Sequence, residues 1–370
     1  MKKINWKNIV GWGIAALVAI FIVYTNIQEQ KALQESGKKN VYAVLPLTGF
    51  GSHVGKQQKA TIELWKEKNP NAPFNIHIID SESAPMKAAT ALRQALLDEE
   101  NPIVITSNSG ISYNSLPIVE EKGGFEFMIC TFERDGFKNT HFLRPCDRTI
   151  DSMKHVAKYL SKYKKLVLFY TNEDFGRSSV NGLEKLLKQS GIEPIEHIAI
   201  EPTQRDIRIE ALKALKEQPE AIAVLGFTTL STINLIKELR IQGYTGDIVT
   251  GTGLADPSYF SQLENYLDKL IFPDKKMQLT EGPNVPELKK IEQAIGGRPF
   301  YIPLETWDTL DLINWTIKNN KPFTQETYAK LGKWEGIAGD IEFLDDGNVI
   351  YEFYLATFKD GKIVPVKDSN

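Results

Sequence analysis

The chain has 370 residues, 42% of them hydrophobic and 25% charged, with a formal net charge of -3 and two cysteines. That length and composition suit a globular protein large enough for two lobes, and they exclude a disordered or fibrous chain. Lys and Arg are scattered among Asp and Glu, so no basic surface is offered to a phosphate backbone and nucleic acid is excluded as a partner.

The first marked segment is residues 8–24, which run through Ile9, Val10, Trp12, Ile14, Leu17, Val18, Ile20, Phe21, Ile22 and Val23 without a charge. Counted to Ile27, the run reaches the roughly 17–25 residues that a spanning helix needs. Lys2, Lys3 and Lys7 precede it, which keeps the amino end in the cytoplasm and puts everything after about residue 28 outside. A retained transmembrane anchor and a cleaved signal peptide share this layout. The anchor is favoured, because Tyr24-Thr25-Asn26-Ile27-Gln28 provides no small-x-small cleavage site. No cysteine follows to carry a lipid either. Residues 28–40 are polar with no sustained apolar face and read as a linker.

From Val41 the pattern alternates. Residues 41–45 predict a buried strand, Pro46 to Gly55 a loop, and residues 56–68 a helix with Ala60, Leu64 and Trp65 on one face. This is the opening unit of an open α/β sheet, in which ligands gather beyond the carboxyl ends of the strands. A strand at 74–80, a turn at 81–85 and a helix at 87–98 follow, then strands at 103–106, 126–131 and 141–144. A second series begins near Thr149, with helices at 152–163, 178–190, 207–216 and 230–242 alternating with strands at 166–170, 194–200, 221–226 and 247–251. The strand-helix rhythm argues for parallel pairing with helices on both faces, and two series of comparable size argue for two facing lobes. The pattern turns helical at 285–294 and 304–319. The tail over 339–355 alternates around Asp346-Gly347, a hairpin signal.

Cys130 and Cys146 admit two readings, a disulfide permitted by an oxidising compartment or two small buried hydrophobes. Gly49 to Lys56 lacks the spacing and the Ser/Thr of a phosphate loop, since Gln57 stands where magnesium would need a hydroxyl. Gly251-Thr252-Gly253 lacks the third glycine of a dinucleotide fingerprint. The five histidines, His53, His77, His141, His155 and His197, show no metal-ligand spacing, and no Gly-x-Ser-x-Gly elbow occurs. The residues therefore argue against an enzyme and call for no cofactor and no metal. Glu173 and Asp174 read either as partners for a cationic ligand or as a solvated loop before a helix.

A series of landmarks carries a family resemblance: Pro46-Leu47-Thr48-Gly49 with Gly55; Asp80 with Pro85 and Ala88; Ser107-Asn108-Ser109-Gly110; Leu143-Arg144-Pro145; Asp174-Phe175-Gly176; Gly226-Phe227-Thr228; Thr306-Trp307-Asp308; and Gly339-Asp340-Ile341-Glu342-Phe343 with Asp346-Gly347. In this order and spacing, over about residues 41–362, the chain resembles the extracytoplasmic type I solute-binding proteins of the branched-chain amino acid group, which feed ATP-driven importers. The resemblance implies two Rossmann-like lobes with parallel sheets, 41–146 with 274–335 and 147–273 with 336–370. A three-segment hinge near 144–149, 270–276 and 335–339 would join them, with the transmembrane helix of residues 1–27 and the linker ahead.

It further implies a cleft that closes on a small organic solute, carboxylate-bearing, amino acid-like or aromatic, for delivery to the permease of an ABC importer. A subunit that signals ligand to a membrane partner is the alternative. The first lobe would contribute Phe50, His53, Ser109, Gly110, Thr131 and Phe132, with Ser109 and its neighbouring N–H groups clasping a carboxylate at a helix start. The second would contribute Phe175, Phe227, Thr228 and Thr252. Thr252 stands where amino acid binders of the family carry an acidic residue, and Glu133 and Arg134 stand where small residues are usual, so the ligand is expected to differ. Phe50, Phe132, Phe175, Phe227 and Trp307 point to an aromatic-walled cleft, the other reading being that half of them are core.

Overall fold

The computed structural model of the chain describes residues 37–132, 137–255, 260–275, 285–296, 301–359 and 362–366. The span expected over residues 8–27, most of the linker, and Glu133 and Arg134 lie outside the described residues. Among the described residues no helix is long and apolar enough to cross a membrane.

Strands β1 (Lys39–Leu45), β2 (Phe74–Asp80), β3 (Ile103–Ser107), β4 (Phe125–Ile129) and β5 (Phe142–Leu143) form a five-stranded sheet in the order β2-β1-β3-β4-β5. Every pair in it is parallel. The same winding recurs in β6 (Leu166–Thr171), β7 (Glu196–Ile200), β8 (Ala221–Leu225), β9 (Asp247–Thr250) and β10 (Leu270–Lys275), which lie in the order β7-β6-β8-β9-β10. A three-stranded antiparallel sheet comprises β11 (Lys333–Gly336), β12 (Gly339–Phe343) and β13 (Val349–Ile350). Finally β14 (Phe353–Lys359) and β15 (Lys362–Pro365) extend the second sheet to seven strands. Both of these pair antiparallel, which corrects the expectation of purely parallel sheets.

The helices are α1 (Ser52–Lys68), α2 (Pro85–Ala95), α3 (Ser109–Glu121), α4 (Thr149–Leu160), α5 (Asp174–Gln189), α6 (Arg208–Lys216), α7 (Leu230–Ile241), α8 (Phe260–Leu263), α9 (Val285–Ile295), α10 (Tyr301–Lys318) and α11 (Gln325–Leu331). Side chains alternate across a strand, so β1 buries Val41, Ala43 and Leu45 with Ile62 and Trp65 of α1 and Leu304 of α10. Its Tyr42 and Val44 meet Ala88 and Leu92 of α2 and Val119 of α3 on the opposite face. In the second sheet Leu166, Leu168, Ala221 and Ala223 meet Val156 and Leu160 of α4 and Leu183 of α5. Val167, Phe169, Ile222 and Val224 meet Ala211 of α6 and Ile236 of α7. Trp65 shows how α1 is fixed: its indole stacks on Phe74 at 5.3 Å and donates from Nε1 to Asp311 Oδ1 at 2.8 Å.

Three local outcomes differ from the sequence reading or sharpen it. Asp346-Gly347 does turn a hairpin, with Gly347 at φ +80° between β12 and β13. Residues 335–339 run through the turn between β11 and β12, which Asp308 on α10 holds by accepting the Ile337 and Ala338 N–H groups at 2.8 and 2.9 Å. Phe343 of β12 packs on Tyr328 of α11, which in turn packs on Phe125 and Phe127 of β4. The tail thus stays beside the first sheet through β13 and joins the second only at β14. Finally, α5 begins at Asp174, four residues before the expected start at 178, because Glu173 accepts the Phe175 and Gly176 N–H groups.

Candidate functional site

A sheet wound in this order has a switch point between its first and third strands, where the chain leaves in opposite directions and opens a crevice beyond the carboxyl ends. Here the two switch points, β1/β3 and β6/β8, belong to different sheets. A cavity lies where the strand ends of both sheets meet. From the side of the first sheet come Val54 of α1, Cys130 and Thr131 after β4, Cys146 and Asp147 after β5, and Tyr301 and Ile302 opening α10. From the side of the second come Thr149, Phe175, Gly226, Phe227, Thr228 and Thr252.

Local backbone explains how these groups reach the wall. Gly226 follows β8 at φ +101°, a left-handed conformation that a side chain resists. A Cβ there would stand 2.0 Å from Thr171 Oγ1 and 2.8 Å from the Gly176 Cα. The turn delivers the Phe227 N–H to Thr171 Oγ1 at 3.1 Å and to Glu173 Oε1 at 3.3 Å, which fixes the ring at the cavity. Cys130 is also left-handed, at φ +52°, and the parallel register of β4 on β5 brings Cys146 alongside. Thr131 N–H donates to Cys146 Sγ at 3.3 Å. Both cysteines are free thiols, and burial holds each of them well above the usual thiol pKa.

Of the residues expected at the site, Thr131, Phe175, Phe227, Thr228 and Thr252 line this cavity. Phe50 stands at its edge and meets Phe227 ring-to-edge at 5.8 Å, bridging the loop after β1 and the loop after β8. Phe132 borders a neighbouring groove with Arg148 and Asp174. The remaining four do not border the cavity. His53 pairs with Gln57 at 2.8 Å within α1. Ser109 is 1% exposed and its Oγ accepts the Phe132 N–H at 3.1 Å. The Gly110 N–H is taken by Asn108 Oδ1 at 3.1 Å. Trp307 is core, its indole bonded to Asp311, because its position on α10 faces α1 and not the strand ends.

Sequence reasoning missed Val54, Cys130, Cys146, Asp147, Thr149, Gly226, Tyr301 and Ile302 as wall residues, and it missed a buried ion cluster behind them. Lys275, the last residue of β10, is 1% exposed. Its ammonium contacts Asp147 Oδ1 at 3.0 Å and also Glu305 of α10. The same ammonium lies over the rings of Tyr351 at 3.8 Å and Tyr301 at 4.4 Å. Burial alone would lower the lysine pKa, but the two carboxylates outweigh it and hold it above the ordinary value. A run of Phe272-Pro273-Asp274-Lys275-Lys276 reads as a solvated strand end, so no local signal betrays this role. Tyr301 also donates its hydroxyl to Thr252 Oγ1, tying α10 to the end of the second sheet across the cavity.

A family model described as periplasmic binding protein matches residues 41–362. No curated protein matches the chain. Among solved structures, a leucine-binding protein, LivK, from Thermotoga maritima aligns at 19% identity with a TM-score of 0.77, covering 89% of this chain and 97% of that one. A solute-binding protein of an ABC transporter from R. palustris, in complex with benzoate, aligns at 18% identity with a TM-score of 0.77, over 89% of this chain and 96% of that one. An extracellular ligand binding receptor from Desulfohalobium retbaense DSM5692 aligns at 18% identity with a TM-score of 0.78. That alignment covers 90% of this chain and 60% of the receptor, so the chain spans about three fifths of that protein's length. At such identities the likeness is one of fold, and function has to be argued from the site.

Proposed function

Because this chain belongs to the periplasmic binding protein family, we propose that it binds a small organic solute outside the cytoplasm, in the cavity between its two sheets, and delivers it to the permease of an ABC importer. The observation that carries the reading is that one cavity takes its wall from the strand ends of both sheets. A solute held there touches both halves, and only a ligand with differential affinity for the closed form can drive closure. The Phe50–Phe227 contact and the Tyr301–Thr252 hydrogen bond are the links such closure would make and break.

In this reading the two lobes are the layers built on the two sheets, with α9, α10, α11 and the three-stranded sheet belonging to the first. The chain crosses between them at 144–149, after β10, and between β13 and β14. The benzoate of the R. palustris protein and the leucine of the T. maritima protein's name support a solute of that size. The apolar segment at residues 8–27 would hold the receptor at the membrane surface, with cleavage as a signal peptide the other outcome.

Native mass spectrometry of the full-length protein purified from membranes tests this. A small molecule released in stoichiometric amount on denaturation, together with cross-linking to a permease, is expected. A protein that releases nothing and is not stabilised by any member of a broad solute library would sink the reading.

A further inference from the structure

Several amides in the loops and helix starts after the strands are already taken by the chain's own side chains. In the first sheet, Asp80 Oδ1 accepts the N–H groups of Leu47, Thr48 and Glu82 at 3.0, 3.2 and 2.8 Å, which fills the loop after β1. At the start of α3, Asn108, itself left-handed at φ +91°, turns its Oδ1 onto the Gly110 N–H, and Ser109 is spent on Phe132. In the second sheet, the Glu173 carboxylate accepts Phe175 and Gly176 at 2.7 and 2.8 Å and reaches Phe227 as well. The chain's own acceptors therefore occupy these donors in the loop after β1 and at the starts of α3 and α5, the last two being helix starts that would otherwise offer N–H groups to an anion.

The charges on the wall point the same way. Among the described residues, Asp147 is the one acidic or basic side chain that lines the cavity. Its counter-ion, Lys275, sits behind it and is shared with Glu305. Glu173 lies directly beneath the cavity floor, since a Cβ on Gly226 would stand 3.2 Å from its Oε1. An incoming carboxylate would meet two acidic groups and lose its water without gaining the charge-assisted donors that offset such a loss. The rest of the wall is aromatic and aliphatic surface with hydroxyls at Thr149, Thr228 and Thr252, groups that serve a neutral partner as donor or acceptor.

We propose that the solute of this cavity carries no carboxylate, and that its polar part is an uncharged hydrogen-bonding group, such as an amide or an alcohol, on an apolar or aromatic body. This rests on the solute-binding reading above and departs from the acid-clasping site expected at Ser109 and Gly110.

Matched pairs that differ only in charge test it: benzamide against benzoate, and isovaleramide against isovalerate. Each is titrated calorimetrically into the full-length protein in detergent at pH 7, alongside mass spectrometry of the molecule released on denaturation. The amide of at least one pair is expected to bind about tenfold or more tightly than its acid, about 1.4 kcal/mol, and the released molecule is expected to lack an acid group. An acid that matches or exceeds its amide, or a released carboxylic acid, overturns the charge inference and leaves solute binding standing. If no probe binds and nothing is released, the solute-binding reading falls and this inference falls with it.

Discussion

Single residues decide how the cavity is shaped, and Gly226 is the sharpest case. Gly226→Ala places a methyl group against Thr171 Oγ1 in a backbone conformation that alanine resists. The substitution is expected to destabilise the protein by about 2–4 kcal/mol and to displace Phe227, which urea denaturation and solute titration would register together. Asp308 offers a second test at this scale. Burial pushes its carboxyl up to about 7 although the Ile337 and Ala338 N–H groups oppose that. In the unfolded chain the group titrates near 4, so between the two values the folded state binds the extra proton. The stability this contributes is complete below about pH 4 and is lost as the pH rises through about 7. Stability measured across that window is expected to fall, and the fall to be smaller in Asp308→Asn. Constant stability in both proteins from pH 4 to 7 would contradict the assignment.

At the scale of elements, the end of β10 is where the connections converge. Lys275 contacts Asp147 from the crossing after β5, Glu305 from α10, and the ring of Tyr351 ahead of β14. Lys275→Met leaves two buried carboxylates without their cation and is expected to cost about 3–5 kcal/mol. Adding Glu305→Gln to that variant is expected to recover part of the loss, which a double-mutant cycle measures. Helix α5 depends on Glu173 in a similar way. Glu173→Ala removes the cap of α5 and the acceptor for Phe227, with an expected loss of about 1–2 kcal/mol. Element boundaries were partly legible beforehand. The helices α2 and α7 and the strands β1 to β9 follow from apolar periodicity, whereas the start of α5 does not, because glutamate is not among the side chains that usually mark a helix start. Helix α3 was legible only at its first residue, since Pro117 and its serines interrupt the helical pattern. The edge strand β15 carries too few apolar residues to declare itself.

For the whole molecule, the same winding is repeated in two sheets, and the proposed closure can be tested at the few links between them. Tyr301→Phe removes the hydroxyl that α10 donates to Thr252. A net loss of about 0.5–1.5 kcal/mol per hydrogen bond should appear as a roughly 2- to 12-fold weaker solute affinity with little change in thermal stability of the unliganded protein. Small-angle scattering is expected to show the radius of gyration falling when solute is added. A radius that does not change would mean binding without closure.

The amino-acid order by itself determined the strand-helix alternation, the hairpin at Asp346-Gly347 and the family, because apolar period and turn chemistry are local properties. Through the family resemblance it also brought Thr131, Phe175, Phe227, Thr228 and Thr252 to notice. Only the tertiary structure decided that Lys275 is buried and that Trp307 faces α1. It alone showed which loop and helix-start amides Asp80, Asn108 and Glu173 accept. Asn108 and Glu173 bond amides two or three residues on and depend on the local turn of the backbone, whereas the burial of Lys275 and the facing of Trp307 depend on which distant groups meet. Burial and charge pairing are properties of such meetings, so no local pattern could carry them.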